Sequence, residues 1–256
     1  MVMADTPTRR KRAAPPADPA VRNSILGALL ASEYEELLPK LEHVTLARGE
    51  IVLRADQEIE AVYFPEQAVI AMVDCMDNGR TVEVGMIGHE GIVGINVVLG
   101  GIATADQAIV QFAGSAMRMK SKDLKKELRI RNPLQPPLLA YARTFLAVIS
   151  QSVACCQYHS VEQRLARWLL VMNDYAGSRE FPMEHKSIAL MLGVRREGIT
   201  EAASQLQARA LIRYRRGRIS VLDGPRLGKR ACECYRYVRQ QYRHLHGEFP
   251  RLLSRN

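Results

Sequence analysis

The sequence predicts an α+β protein in three successive parts: a roll of short β-strands, one long helix, and a helical unit closed by a β-hairpin. Three observations predict it. Short β-type runs separated by glycine turns fill residues 44–119. An apolar seam continues from Leu138 to Cys156 at helical spacing. Two short amphipathic helices meeting at a glycine, then an arginine-rich hairpin, occupy residues 184–222. The chain has 256 residues, 47% hydrophobic and 25% charged, which suits one or two globular domains and excludes a wholly disordered or fibrous chain. No run nears the ~18 apolar residues of a membrane span. Arg9-Arg10-Lys11-Arg12 leads into Ala-Ala-Pro-Pro, with no apolar segment behind it, so no secretory signal is expected. A cytoplasmic protein without membrane contact is the expectation.

The elements follow in order. Residues 1–22 are polar and rich in Pro and Arg, and read as a disordered basic tail. A β-roll domain is expected over 23–133. It opens with short helices carrying Ile25, Leu26, Leu29 and Leu30, then Tyr34, Leu37, Leu38 and Leu41. Its clearest strands are Ile51–Leu53, Val62–Phe64, Val69–Val73, Thr81–Val84 and Ala108–Phe112. Strands this short, at such close and regular spacing, suggest a barrel or jelly roll. Ser121 is a candidate N-cap for a helix over 121–129. Asn132-Pro133 and Pro136-Pro137 then break the chain.

The long helix is expected over 134–158. Leu138, Ala142, Phe145, Ile149, Ser152 and Cys156 are spaced 4, 3, 4, 3, 4, a heptad seam. A second stripe, Leu139, Leu146 and Val153, lies beside it. A face this wide can serve two partners, the helix's own domain and a second copy. The Leu138–Cys156 seam is assigned to a homodimer interface. The last domain is expected over 159–256, including a C-terminal extension. It opens on a helix capped by Ser160 with Gln163 at the capping-box position, and Gly177 closes that unit.

Charge is unevenly placed. Residues 159–256 hold 19 Lys and Arg against 9 Asp and Glu, whereas residues 23–158 hold 12 against 16. A segregated basic domain points to a polyanion partner. Within it, Ile188, Ala189 and Leu192 form one helical face, Gly193 supplies the turn, and Ile199, Ala202, Ala203 and Leu206 form the next face. That second helix keeps Arg195, Arg196, Glu197, Thr200 and Glu201 for its open side, residue types that read base edges. Arg213, Arg215, Arg216 and Arg218 crowd the following hairpin, and Lys186 stands at the start of the first helix; these suit phosphate contacts. Double-stranded DNA is the expected partner.

The five cysteines (75, 155, 156, 232, 234) make no CxxC pair and are read as reduced thiols, with Cys155/Cys156 and Cys232/Cys234 as thiol-sensing alternatives. No metal site is expected. No nucleophile triad, phosphate loop or dinucleotide fingerprint is present, so no enzymatic role is expected.

The order of parts, with Leu192-Gly193, Arg196-Glu197, Ile199, Leu206 and Leu211-Ile212, resembles the Crp–Fnr family of bacterial transcription regulators. Gly49-Glu50-Ile51-Val52 and Val62-Tyr63-Phe64 resemble the opening strands of the family's cyclic-nucleotide-binding-like roll. The resemblance implies a winged helix-turn-helix, a homodimer on a near-palindromic operator, a signal at the roll, and RNA polymerase as a further partner. Three departures narrow it. The family's Gly-Glu and Arg-Ser pairs that hold a cyclic nucleotide become Gly91-Ile92 and Asp106-Gln107, and no arginine lies between Arg80 and Arg118. No cyclic AMP site of the usual form, and no other cofactor, is therefore expected; the effector-binding residues stay unassigned. No cysteine precedes Cys75, which removes the Fnr-type iron–sulfur cluster, and His43 and His89 are read as structural rather than as haem ligands. Glu201 stands where members usually carry an arginine, so the half-site should differ from the usual one. The rival reading is a signal-binding module whose basic domain docks on a protein or membrane surface.

Overall fold

The computed structural model describes residues 21–129 and 133–253. The tail expected over 1–22 falls, for residues 1–20, outside them. Two short helices, α1 (Ser24–Gly27) and α2 (Ala31–Leu37), lead in. Asn23 caps α1, accepting from the N–H groups of Ile25 and Leu26. Its amide donates to the carbonyls of Pro65 and Gly91, so this fully buried side chain ties the entry helix to the end of the Ala61–Pro65 strand and to the loop after the Thr81–Ile87 strand.

The roll consists of β1 (Leu41–Leu46), β2 (Ile51–Leu53), β3 (Ala61–Pro65), β4 (Val69–Cys75), β5 (Thr81–Ile87), β6 (Gln107–Phe112) and β7 (Gly114–Lys120). They form two antiparallel sheets, ordered β1-β7-β3 and β2-β6-β4-β5. All five expected runs are strands. Leu41 is a correction: it opens β1 and pairs with Met119 rather than ending a helix. Pro39 confines the preceding segment to a single 3₁₀ turn, and β7 offers the waiting edge. Ser121 is corrected too. It is the first residue of α3 (Ser121–Arg129), and its hydroxyl donates to the Ile59 carbonyl instead of capping.

Every residue from Val69 to Val73 is buried. Alternate side chains go to opposite faces. Ile70 and Met72 enter the roll interior, whereas Val69, Ala71 and Val73 join a second core with Met86 and the C-terminal domain. The roll is thus covered on its outer face by the basic domain.

The long helix α4 (Gln135–Tyr158) follows, and this chain itself covers much of the seam assigned to a second copy. Leu138, Ala142 and Phe145 are buried within this chain, Leu138 and Phe145 in the core of the roll. Ile149 and Ser152 are partly covered, and only Cys156 is exposed. The open stripe is the second one: Leu139 is 44% exposed, Leu146 59% and Val153 69%. A heptad seam states that a face is apolar; it does not state which neighbour takes it. This 24-residue helix is also long and apolar enough to cross a membrane by length and composition, although 44% of its most apolar window is buried inside the protein.

The C-terminal part contains α5 (Val161–Ala176), β8 (Glu180–Pro182), α6 (His185–Leu192), α7 (Arg196–Ala208), β9 (Ile212–Arg215), β10 (Arg218–Val221), α8 (Gly224–Arg230) and α9 (Cys234–Leu253). Ser160 and Gln163 form the expected capping box on α5. Helix α9 carries Val238, Tyr242, Leu245 and Phe249 on one face, and that face returns to the core of the roll beside α4.

Candidate nucleic-acid interface

Helices α6 and α7 meet at Gly193, whose φ of +61° is cheap only for glycine. Its own surroundings are also close: a Cβ there would lie 3.1 Å from the Val82 side chain of β5. The buried Arg164 guanidinium, reaching over from α5, donates to the Leu192 carbonyl and so satisfies the end of α6. Ile199, Ala202, Ala203 and Leu206 are buried, which sets the rotation of α7. Its other face is left open: Arg195, Arg196, Glu197, Thr200 and Glu201 are all exposed.

The hairpin pairs β9 with β10, Arg215 opposite Arg218, and β8 adds a third strand. Its two-residue turn has positive φ at both Arg216 (50°) and Gly217 (73°), the pattern of a tight primed turn. Arg213, Arg215, Arg216 and Arg218 line one concavity of about 340 Å³ with Glu180 and Ser220. Arg218 ion-pairs with Glu180, so the other three present the freer charge. Lys186 is exposed on the first turn of α6.

One organising residue escaped the sequence reading. His185 stacks on Tyr214 of the hairpin, centroids 4.0 Å apart, and its Nδ1 lies 3.1 Å from the Thr200 hydroxyl. That hydroxyl donates to the Arg196 carbonyl, which leaves its oxygen to accept from Nδ1–H. Burial, followed by the Arg196 charge, holds the imidazole pKa below its ordinary value. A neutral ring thus joins α6, α7 and the wing. Its signal was weak in sequence, since only the fold places residues 185, 200 and 214 together.

Residues 163–230 match the Crp-like helix-turn-helix domain. The chain carries a Crp-like reader. The whole architecture agrees. A Crp/Fnr-family protein from Eubacterium rectale aligns with TM-score 0.64 at 18% identity, over 79% of this chain and 94% of that one. FixK2 from Bradyrhizobium japonicum aligns with TM-score 0.64 at 18% identity, over 75% and 98%. A CRP-family regulator from Thermus thermophilus gives 0.61 at 19%, over 73% and 96%. No curated protein matches the chain by sequence. The Crp–Fnr resemblance seen in the motifs is thereby borne out in the helix-turn-helix domain and in a fold of roll, long helix and winged helix.

The Crp-like reader is coupled to the roll by a polar joint inside an apolar contact. Trp168 of α5, 1% exposed, donates from its indole N–H to Glu83 of β5 at 3.1 Å. Burial lifts the Glu83 pKa to about 7 against that hydrogen bond. A second carboxylate, Glu90, is fully buried and accepts from the Gly88 N–H at 3.0 Å. Burial dominates there too, raising its pKa to about 7. Glu90 Oε2 and the hydroxyls of Tyr141 (α4) and Tyr242 (α9) are buried without a hydrogen-bond partner among the described residues. Tyr141 also fills the space a Cβ on Gly91 would need, only 2.3 Å from its hydroxyl. A cavity of about 350 Å³ opens beside Glu90, lined by His89, Tyr175, Tyr242 and His246 among others.

Proposed function

We propose that this regulator works as a homodimer on a near-palindromic operator and answers to a signal received at the roll. The observation that carries the reading is an exposed α7 face and an arginine-lined wing within one helix-turn-helix unit. Arg196 and Glu197 would read bases in the major groove, with Arg195, Thr200 and Glu201 beside them, while Lys186, Arg213, Arg215, Arg216 and Arg218 would hold phosphates. The open Leu139–Leu146–Val153 stripe is where a second copy would dock, placing two α7 helices in successive major grooves. Leu146→Glu should convert a sedimenting dimer to monomer; an unchanged dimer would remove that stripe from the interface.

The signal is not a cyclic nucleotide of the usual kind. Asp106 stands where an arginine would pair a phosphate, and its carboxyl, raised in pKa by burial and then by the nearby Asp74 charge, offers an anion no cationic partner. Calorimetry with cyclic AMP and cyclic GMP should show no micromolar binding. Binding to DNA should fall steeply as salt rises, because phosphate contacts release counterions. Salt-insensitive association would favour docking on a protein surface and overturn the proposal.

A further inference from the structure

Three thiols and an imidazole, distant in sequence, meet at the corner where α4 ends and α9 begins. Cys155 and His159 are four residues apart, on one side of the end of α4. Cys232 and Cys234 flank the bend that starts α9. Neighbourhood in the chain pairs Cys155 with Cys156 and Cys232 with Cys234. The structure groups them otherwise: Cys155 faces Cys232, and Cys156 points away as an exposed thiol.

The spacing is that of a coordination shell. Cys155 Sγ and Cys232 Sγ lie 3.6 Å apart, and Cys234 Sγ and His159 Nδ1 also 3.6 Å apart. All four ligand atoms fall within 4.8 Å of one another. A tetrahedron with ligands at roughly 2.3 Å has edges of about 3.8 Å. A disulfide would need about 2.05 Å. The surroundings have the form of a metal site's outer layer. His159 keeps Nδ1 toward the sulfurs while Nε2 lies 3.2 Å from Glu233, the carboxylate–histidine arrangement that orients a ligating ring. The Gln151 amide donates to Cys234 Sγ at 3.2 Å, as it would to a thiolate. Cys155, Cys232 and Cys234 are buried, and they form a small cluster of their own, apart from the two main cores.

We propose that Cys155, His159, Cys232 and Cys234 bind one zinc-type divalent cation in a closed tetrahedral site. Binding releases the three thiol protons to solvent and leaves three thiolates and a neutral imidazole on the ion. With no open position, the ion's role is structural. It pins the start of α9 to the end of the long helix and thereby fixes how the winged helix hangs from the dimer stem.

The test uses untagged, reduced, full-length protein. After titration with Co²⁺, the spectrum should show thiolate-to-cobalt charge transfer and tetrahedral d–d bands that saturate at one ion per chain, and Zn²⁺ should displace them. Cys156→Ser should keep both the stoichiometry and the spectrum. Cys232→Ser should lose them, and Glu233→Gln should weaken affinity about 10–100-fold. Should Cys232→Ser fail to fold, the wild-type spectrum still decides. Absence of a saturable thiolate–cobalt signal in the wild-type chain would overturn the site, as would a spectrum that depends on Cys156 and not on Cys232.

Discussion

The roll and the reader treat charge in opposite ways. The reader displays it: Lys186, Arg195, Arg196 and the four wing arginines stand exposed on one unit, with few carboxylates to neutralise them. The roll conceals it: Glu90 is buried and Glu83 half-buried against α5, with pKa values raised to about 7. Exposed charge is available to a partner at any moment. Buried charge is a cost held in one packing arrangement, and that cost can be shifted by whatever moves the packing. A recognition surface and a responsive joint therefore look different in the same chain.

The joint should give the largest effect. Trp168 lies between the two regions, fully buried, with its only polar atom on Glu83. Trp168→Ala should cost about 3–5 kcal/mol in denaturant unfolding. A cost below about 1 kcal/mol would show that the reader is not packed on the roll. The concealed charge comes next. A carboxylate whose folded pKa is raised binds more protons folded than unfolded between about pH 4.5 and 7, so stability should fall as pH rises through that window. For Glu90 the shift from 4.5 to about 7 corresponds to roughly 3 kcal/mol at most. Glu90→Gln should flatten that part of the pH profile while Glu83 still contributes its share. An unaltered profile would mean that Glu90 is not buried as a carboxylic acid.

The displayed charge should give smaller and more selective effects. Arg196→Ala should cost about 1–3 kcal/mol in DNA binding and relax preference at one base position. Arg215→Ala should weaken all sequences alike and reduce the salt slope by about 1. If the two variants behaved identically, the division between base reading and phosphate holding would fail.

The same contrast explains what the sequence made legible. The helix-turn-helix was readable because periodicity, Gly193 and the arginine run are local signals, and the five strand runs were readable for the same reason. Which stripe of α4 stays open was not readable, because Leu138 and Leu139 are equally apolar and only the roll and α9 decide which is covered. Helix α9 was legible in the 4, 3, 4 spacing of Val238, Tyr242, Leu245 and Phe249 but was not read; the His185–Thr200–Tyr214 joint and the Cys155–Cys232 pairing were hardly legible. Both depend on residues brought together across long stretches of chain, where no spacing rule operates. Leu41 is the intermediate case, its helical pattern overruled by Pro39 and by pairing with β7.

The most direct test of the central claim is selection of bound fragments from random double-stranded DNA by the full-length protein. One enriched, near-two-fold motif is expected, with half-sites about one helical turn apart, degraded at a single position in each half by Arg196→Ala. A pool with no enriched motif, or a motif indifferent to Arg196, would contradict it.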